Sequence, residues 1–126
     1  MLKMIDPTGY PKSASYSQGA LVTAPQRMLF ISGQVGIDAK GYVGKDVGEQ
    51  TKIAVANLNA VLGGAGMDKR NLAKVTIYLT DASLLPDFMQ AAGDALPSPP
   101  PATTLLIVKA LAAPPLMVEI EAVAAD

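Results

Sequence analysis

Residues 101–126 read PATTLLIVKALAAPPLMVEIEAVAAD, and this C-terminal arm decides the fold. It holds two apolar runs, 102–108 and 116–124, joined by a short Ala/Pro connection. The two runs read as an antiparallel pair of strands. Each is apolar on both faces, so each belongs to a sheet that is covered on both sides. Glu119 and Glu121 stand inside the second run. A carboxylate inside such a strand needs a partner or a role.

Upstream of the arm, Pro97–Pro101 holds four prolines in five residues, a stiff extended connector. Before it, Ser83–Leu96 reads as a helix with an apolar face of Leu85, Phe88, Met89, Ala92 and Leu96. Pro86 is tolerable only in its first turn. Leu72–Thr80 alternates, with Ala73, Val75, Ile77 and Leu79 on one face and Lys74, Thr76 and Tyr78 on the other. A longer helix precedes it. Asp46 and Glu49 have capping-box spacing, and Ala54, Leu58, Val61, Leu62 and Ala65 form one buried stripe. Gln50, Lys52, Asn57 and Asn59 fall mostly on the remaining surface. Gly63, Gly64 and Gly66 close this helix. A phosphate loop would open a helix instead, so no nucleotide cofactor is expected.

The N-terminal third reads as short strands and turns: Met1–Ile5, Ala20–Ala24, and Arg27–Ser32 with an extended continuation past Gly33. The order β-β-β-α-β-α-β-β predicts an α+β sandwich, one mixed sheet with two helices on one face. If Thr104, Leu106, Val108, Val118, Ile120 and Ala122 face the helices, then Leu105, Ile107, Met117 and Val123 face the other way. No element remains to cover that second face. Other subunits must cover it, and a closed ring is the natural solution.

The 126 residues make one domain, 1–126, with an aliphatic core, since half the chain is apolar and only two Phe and four Tyr are aromatic. The net charge of −1 leaves no basic field for nucleic acid. No apolar run reaches the roughly 18 residues of a membrane span. The N-terminus lacks a signal-peptide pattern, and the chain has no Cys, so a cytoplasmic location is the default. Without His or Cys, the usual transition-metal ligands are missing, and no metal site is expected. Acid–base chemistry falls to Asp, Glu, Lys, Tyr, hydroxyls or water.

Several segments, in order along nearly the whole chain, resemble the RidA family, also called YjgF or the L-PSP endoribonuclease group. Ser15-Tyr16-Ser17-Gln18-Gly19 resembles the family's PYxQG loop, and Ile31-Ser32-Gly33-Gln34 its SGQ segment. Asn57-Leu58 and Lys74–Asp81 fit its first-helix and KxTVFVxD patterns, and Val118–Ala122 fits its VEIEA strand. Pro101-Ala102-Thr103-Thr104 stands where the family has PARS. The resemblance implies a chorismate mutase-like fold and a homotrimer whose sheets form a central barrel. It also implies a small-molecule ligand in the clefts between subunits, where many members hydrolyse reactive imines or enamines.

Carried over residue by residue, the resemblance makes Glu119 a water-orienting group and Tyr16 a phenolic donor. Ser32 and Gly33 line the cleft, and Thr103 and Thr104 contact the ligand. Each has a plainer alternative: Tyr16 as a loop anchor, Ser32 and Gly33 as a strand end, Glu119 as a charge paired at an interface, and the two threonines as ordinary strand residues. The family's carboxylate-holding Arg is Thr103 here. Losing such a two-pronged contact weakens carboxylate binding by orders of magnitude. Arg27 and Arg70 are the arginines that a neighbouring subunit could bring in. The usual 2-imino acid activity is therefore doubtful, and a non-catalytic ligand-binding trimer is the competing reading. Ribonuclease activity, suggested only by a family name, fits poorly with the missing His and the balanced charge.

Overall fold

The computed structural model describes residues 1–126. In chain order the elements are β1 (Leu2–Ile5), β2 (Gly19–Val22), β3 (Met28–Val35), α1 (Val47–Gly64), β4 (Leu72–Leu79), α2 (Leu85–Ala92), β5 (Ala102–Ile107) and β6 (Val118–Ala125). β1 and β2 form a separate antiparallel pair, and the other four strands make a mixed sheet in the order β3-β6-β4-β5. Both helices pack on one face of that sheet. The core there joins Ala54, Leu58 and Leu62 of α1 and Phe88 of α2 to Val75, Ile77, Val118 and Ile120 of the strands. No helix is long and apolar enough to cross a membrane.

α1 follows its local signals. The Asp46 carboxylate accepts a hydrogen bond from Glu49 N, which satisfies one free amide of the first turn. At the other end Gly66 N donates to Gly63 O and Met67 N to Leu62 O, the paired bonds of a Schellman stop. Met67 then folds into the core beside the helix end. Arg27 donates to Ala65 O at 2.7 Å, so a cation meets the negative end of the helix dipole. The same guanidinium pairs with Asp126, clasping the start of β3 to the end of β6.

Several expectations need correction. β5 and β6 run in opposite directions but do not pair. β4 lies between them, parallel to β5 and antiparallel to β6. The crossover through α2 sets β5 parallel beside β4 and leaves the other edge of β4 free for β6. The faces of β5 are also reversed. Val75 pairs with Thr103 and Ile77 with Leu105, and paired residues of parallel strands share a face. Thr103 and Leu105 therefore face the helices, while Thr104 and Leu106 lie on the open face. A strand apolar at every position carries no parity signal, and the parallel register decides it. The β6 expectation holds: Val118, Ile120 and Ala122 are buried against the helices.

The second helix is shorter than Ser83–Leu96. A 3₁₀ turn at Ala82–Leu84 leads into α2, which stops where Gly93 takes φ +49°. That backbone conformation is costly for residues with a side chain, so the helix ends there and Ala95 and Leu96 run on outside it.

Gln50 is the largest departure. The expected surface residue is completely buried. Its Nε2 donates to Gly44 O (3.0 Å) and Pro115 O (2.9 Å), and its Oε1 accepts from Met117 N (2.8 Å). Gly36 and Gly44 lie so close to Gln50 that a Cβ on either would overlap it. Asn57 is likewise drawn inward, with its amide donating to Val35 O and Ile37 O. Replacing Gln50 by Leu leaves two carbonyls and an amide without their partner. We expect Gln50→Leu to lower the unfolding free energy by about 3 kcal/mol, read from chemical denaturation. A loss below about 1 kcal/mol would mean that water serves these groups equally well.

Candidate functional site

The candidate residues fall in two places. Tyr16 and Thr103 lie together at the junction of α2 and β5. The loop carrying Tyr16 is fastened there by its neighbour: buried Ser17 donates from its backbone to Pro101 O (3.0 Å) and from Oγ to Pro100 O (2.6 Å). Ser17 also forms a parallel bridge to Ala102, so the loop extends the edge of the sheet by one residue. Thr103 Oγ1 donates to Pro101 O at 3.0 Å, which leaves its oxygen free to accept. The Tyr16 ring is 40% exposed and makes no hydrogen bond within the chain.

Behind this pair is a cavity of about 310 Å³ between the helices and the sheet. Its walls include Val55 and Leu58 of α1, Phe88 of α2, and Ile77, Leu105 and Ile120 of the sheet. Met89 of α2 is also among its walls. No charged side chain lines the cavity. Arg27 is committed to Asp126 and Ala65 O, and Arg70 to Asp68, whose carboxyl pKa the guanidinium lowers to about 2. Neither arginine reaches the position beside Thr103 within the chain.

Ser32, Gly33 and Glu119 lie elsewhere, around a bulge where β3 carries one extra residue against β6. The Glu119 side chain is laid across Gly33, and a Cβ on Gly33 would overlap its carboxylate. Thr104 also belongs to this open face, where its Oγ1 accepts from Lys74 Nζ at 2.6 Å. Glu121, on the same side of β6, accepts from the Tyr78 hydroxyl. That hydrogen bond, then burial, then the charges of Glu121 and Glu119, raises the Tyr78 phenol above its ordinary pKa.

Lys74 and Tyr78 thus partner the face that holds Glu119 and Glu121, roles that sequence reasoning missed. The signal was available in the alternation Lys74-Thr76-Tyr78 opposite the two acids. The cavity had no such signal, because its walls come from scattered apolar positions.

Two helices on one face of a mixed sheet, with the opposite face open, define an α+β sandwich of the chorismate mutase-like type. The chain belongs to the Endoribonuclease L-PSP family, the RidA/YjgF group, whose model matches residues 9–126. Protein mmf2, mitochondrial, of Schizosaccharomyces pombe is 33% identical over 104 residues, 79% of this chain and 80% of its own. The human 2-iminobutanoate/2-iminopropanoate deaminase is 40% identical over 68 residues, 52% of this chain. That match spans about half of the human enzyme's length, 47%. Among solved structures, the Rid-family protein YyfB from Yersinia pestis has a TM-score of 0.86 at 29% identity, with 98% of each chain covered.

The Tyr78–Glu121 pair has a direct pH consequence. A phenol whose folded pKa is raised stabilises the fold below the unfolded phenol's pKa, and that contribution is lost as pH rises through the folded value. In a spectrophotometric titration, Glu121→Gln should move one tyrosine midpoint down toward the ordinary value. Tyr78→Phe should remove that titration altogether. An unchanged profile in Glu121→Gln would show that the pair does not form in solution.

Proposed function

We propose that this chain is the single-domain subunit of a homotrimer that binds a small metabolite in clefts between subunits. Its reaction there is hydrolysis of reactive imines or enamines, with 2-imino acids as poor substrates. The observation that carries this reading is the division of the candidate residues between two faces. Tyr16 and Thr103 lie beside the α2–β5 cavity, and Ser32, Gly33 and Glu119 lie on the open face of the sheet. A neighbouring copy seated on that face would complete a site that one chain leaves in halves, and a threefold ring closes such a contact. The exposed Phe30, Met28 and Leu106 give the open face an apolar surface of the kind that subunits cover.

The chemistry asks for little machinery, because the substrate is already reactive. Water oriented by the Glu119 carboxylate adds to the C=N carbon, and the nitrogen takes up a proton. The carbinolamine then collapses, releasing ammonia and leaving a carbonyl. Tyr16 supplies a phenolic donor to the nitrogen. Thr103 offers one hydroxyl where the family's Arg holds a carboxylate, so substrates that depend on that clamp bind weakly.

The test compares 2-iminopropanoate, generated in situ, with a neutral imine of similar size. Wild type should favour the neutral compound, and Glu119→Ala should lose turnover of both. Thr103→Arg should raise kcat/KM for the imino acid by about a hundredfold. Failure to accelerate either compound would sink the hydrolytic reading and leave a binding protein. A monomer in light scattering would sink the shared cleft.

A further inference from the structure

The cavity behind Tyr16 and Thr103 has more room and less polarity than recognition of a small imino acid requires. An apolar cavity of about 150 Å³ inside a protein is enough to take up benzene. This one, partly open to solvent, holds about 310 Å³, twice as much. Its lining is aliphatic and aromatic, and the polar side chains among its walls are Ser15, Tyr16 and Thr103. All three come from the loop and strand start that Ser17 fastens together. The cavity thus has an apolar body and one polar end.

The charge balance narrows the ligand further. A carboxylate carried inside would find no cation and would lose its hydration without compensation. The polar end offers two complementary contacts. The Tyr16 hydroxyl has no partner in the chain and can donate. Thr103 Oγ1 already donates to Pro101 O and is left to accept. A neutral head that both accepts and donates, such as an amide or an N–H imine, matches both.

We propose that this cavity is a binding site for a neutral ligand whose aromatic or aliphatic body, of one to two rings in bulk, fills the space beneath α2. The ligand's amide, hydroxyl or C=N head sits between Tyr16 and Thr103. The inference rests on the proposed ligand site at these two residues, and it stands apart from whether hydrolysis occurs there. The replacement of Arg by Thr then changes the ligand class, from small anions held by charge to neutral molecules held by apolar burial.

The test uses phenylacetamide and phenylacetate, which share a ring and differ in charge. Protein carrying ¹³C-methyl methionine is titrated with each. Met89 lines the cavity and Met28 lies on the open face of the sheet, so the two methyl signals report the two locations. Phenylacetamide should shift Met89 saturably, with phenylacetate at least about tenfold weaker. Thr103→Arg should reverse that preference, and Ala92→Phe should fill the space and abolish binding. Should Ala92→Phe fail to fold, the wild-type Met89 and Met28 signals decide alone. Shifts confined to Met28, equal binding of amide and carboxylate, or no saturable shift would overturn the proposal. Neither probe is an imine, so loss of hydrolysis leaves this result standing, and hydrolysis without binding here would sink only the cavity.

Discussion

The side-chain amide of Gln50 holds together three segments that no continuous element joins. From inside the first turns of α1 it bonds the carbonyl of Gly44, the carbonyl of Pro115 and the amide of Met117. The helix, the loop after β3 and the entry to β6 are thereby set against one another. Close approach is possible because Gly36 and Gly44 present backbone and no side chain. A buried amide of this kind stabilises only when all its bonds are made, which makes the arrangement strict. Glu119 follows Met117 by two residues in the chain, so the amide also helps to set where that carboxylate lies.

The sheet that results carries different chemistry on its two faces. Toward the helices it is apolar, apart from the end where Thr103 meets the Ser15–Ser17 loop. The open face mixes apolar residues with paired polar ones, Lys74 with Thr104 and Tyr78 with Glu121. Glu119 lies against Gly33 beside a bulge of β3, where the absence of a side chain on the glycine leaves it room. Pairing within the face satisfies groups that a covering subunit would otherwise bury at a cost.

The candidate site was only partly legible beforehand. Tyr16, Ser32, Gly33, Thr103 and Glu119 stand out through short segments of characteristic spacing, which survive in the linear order of the chain. Their division between two faces does not. Thr103 and Thr104 are neighbours in sequence, yet one faces the cavity and the other faces Lys74 across the sheet. The cavity itself left no trace, since an empty volume is a property of how distant walls fail to meet.

The amino-acid sequence by itself determined the elements and the ends of most of them. The Asp46 cap, the glycine stop after α1, the alternation of β4 and the proline connector before β5 each act within a turn or a few residues of backbone. So the α+β order was readable, and so was the family pattern. Tertiary structure alone decided that β6 enters between β3 and β4, which way β5 faces, that Gln50 is buried, and that a cavity lies beneath α2. These depend on pairing and packing between residues far apart in the chain. A uniformly apolar strand or a glutamine on a helix has no local preference that could select one partner over another.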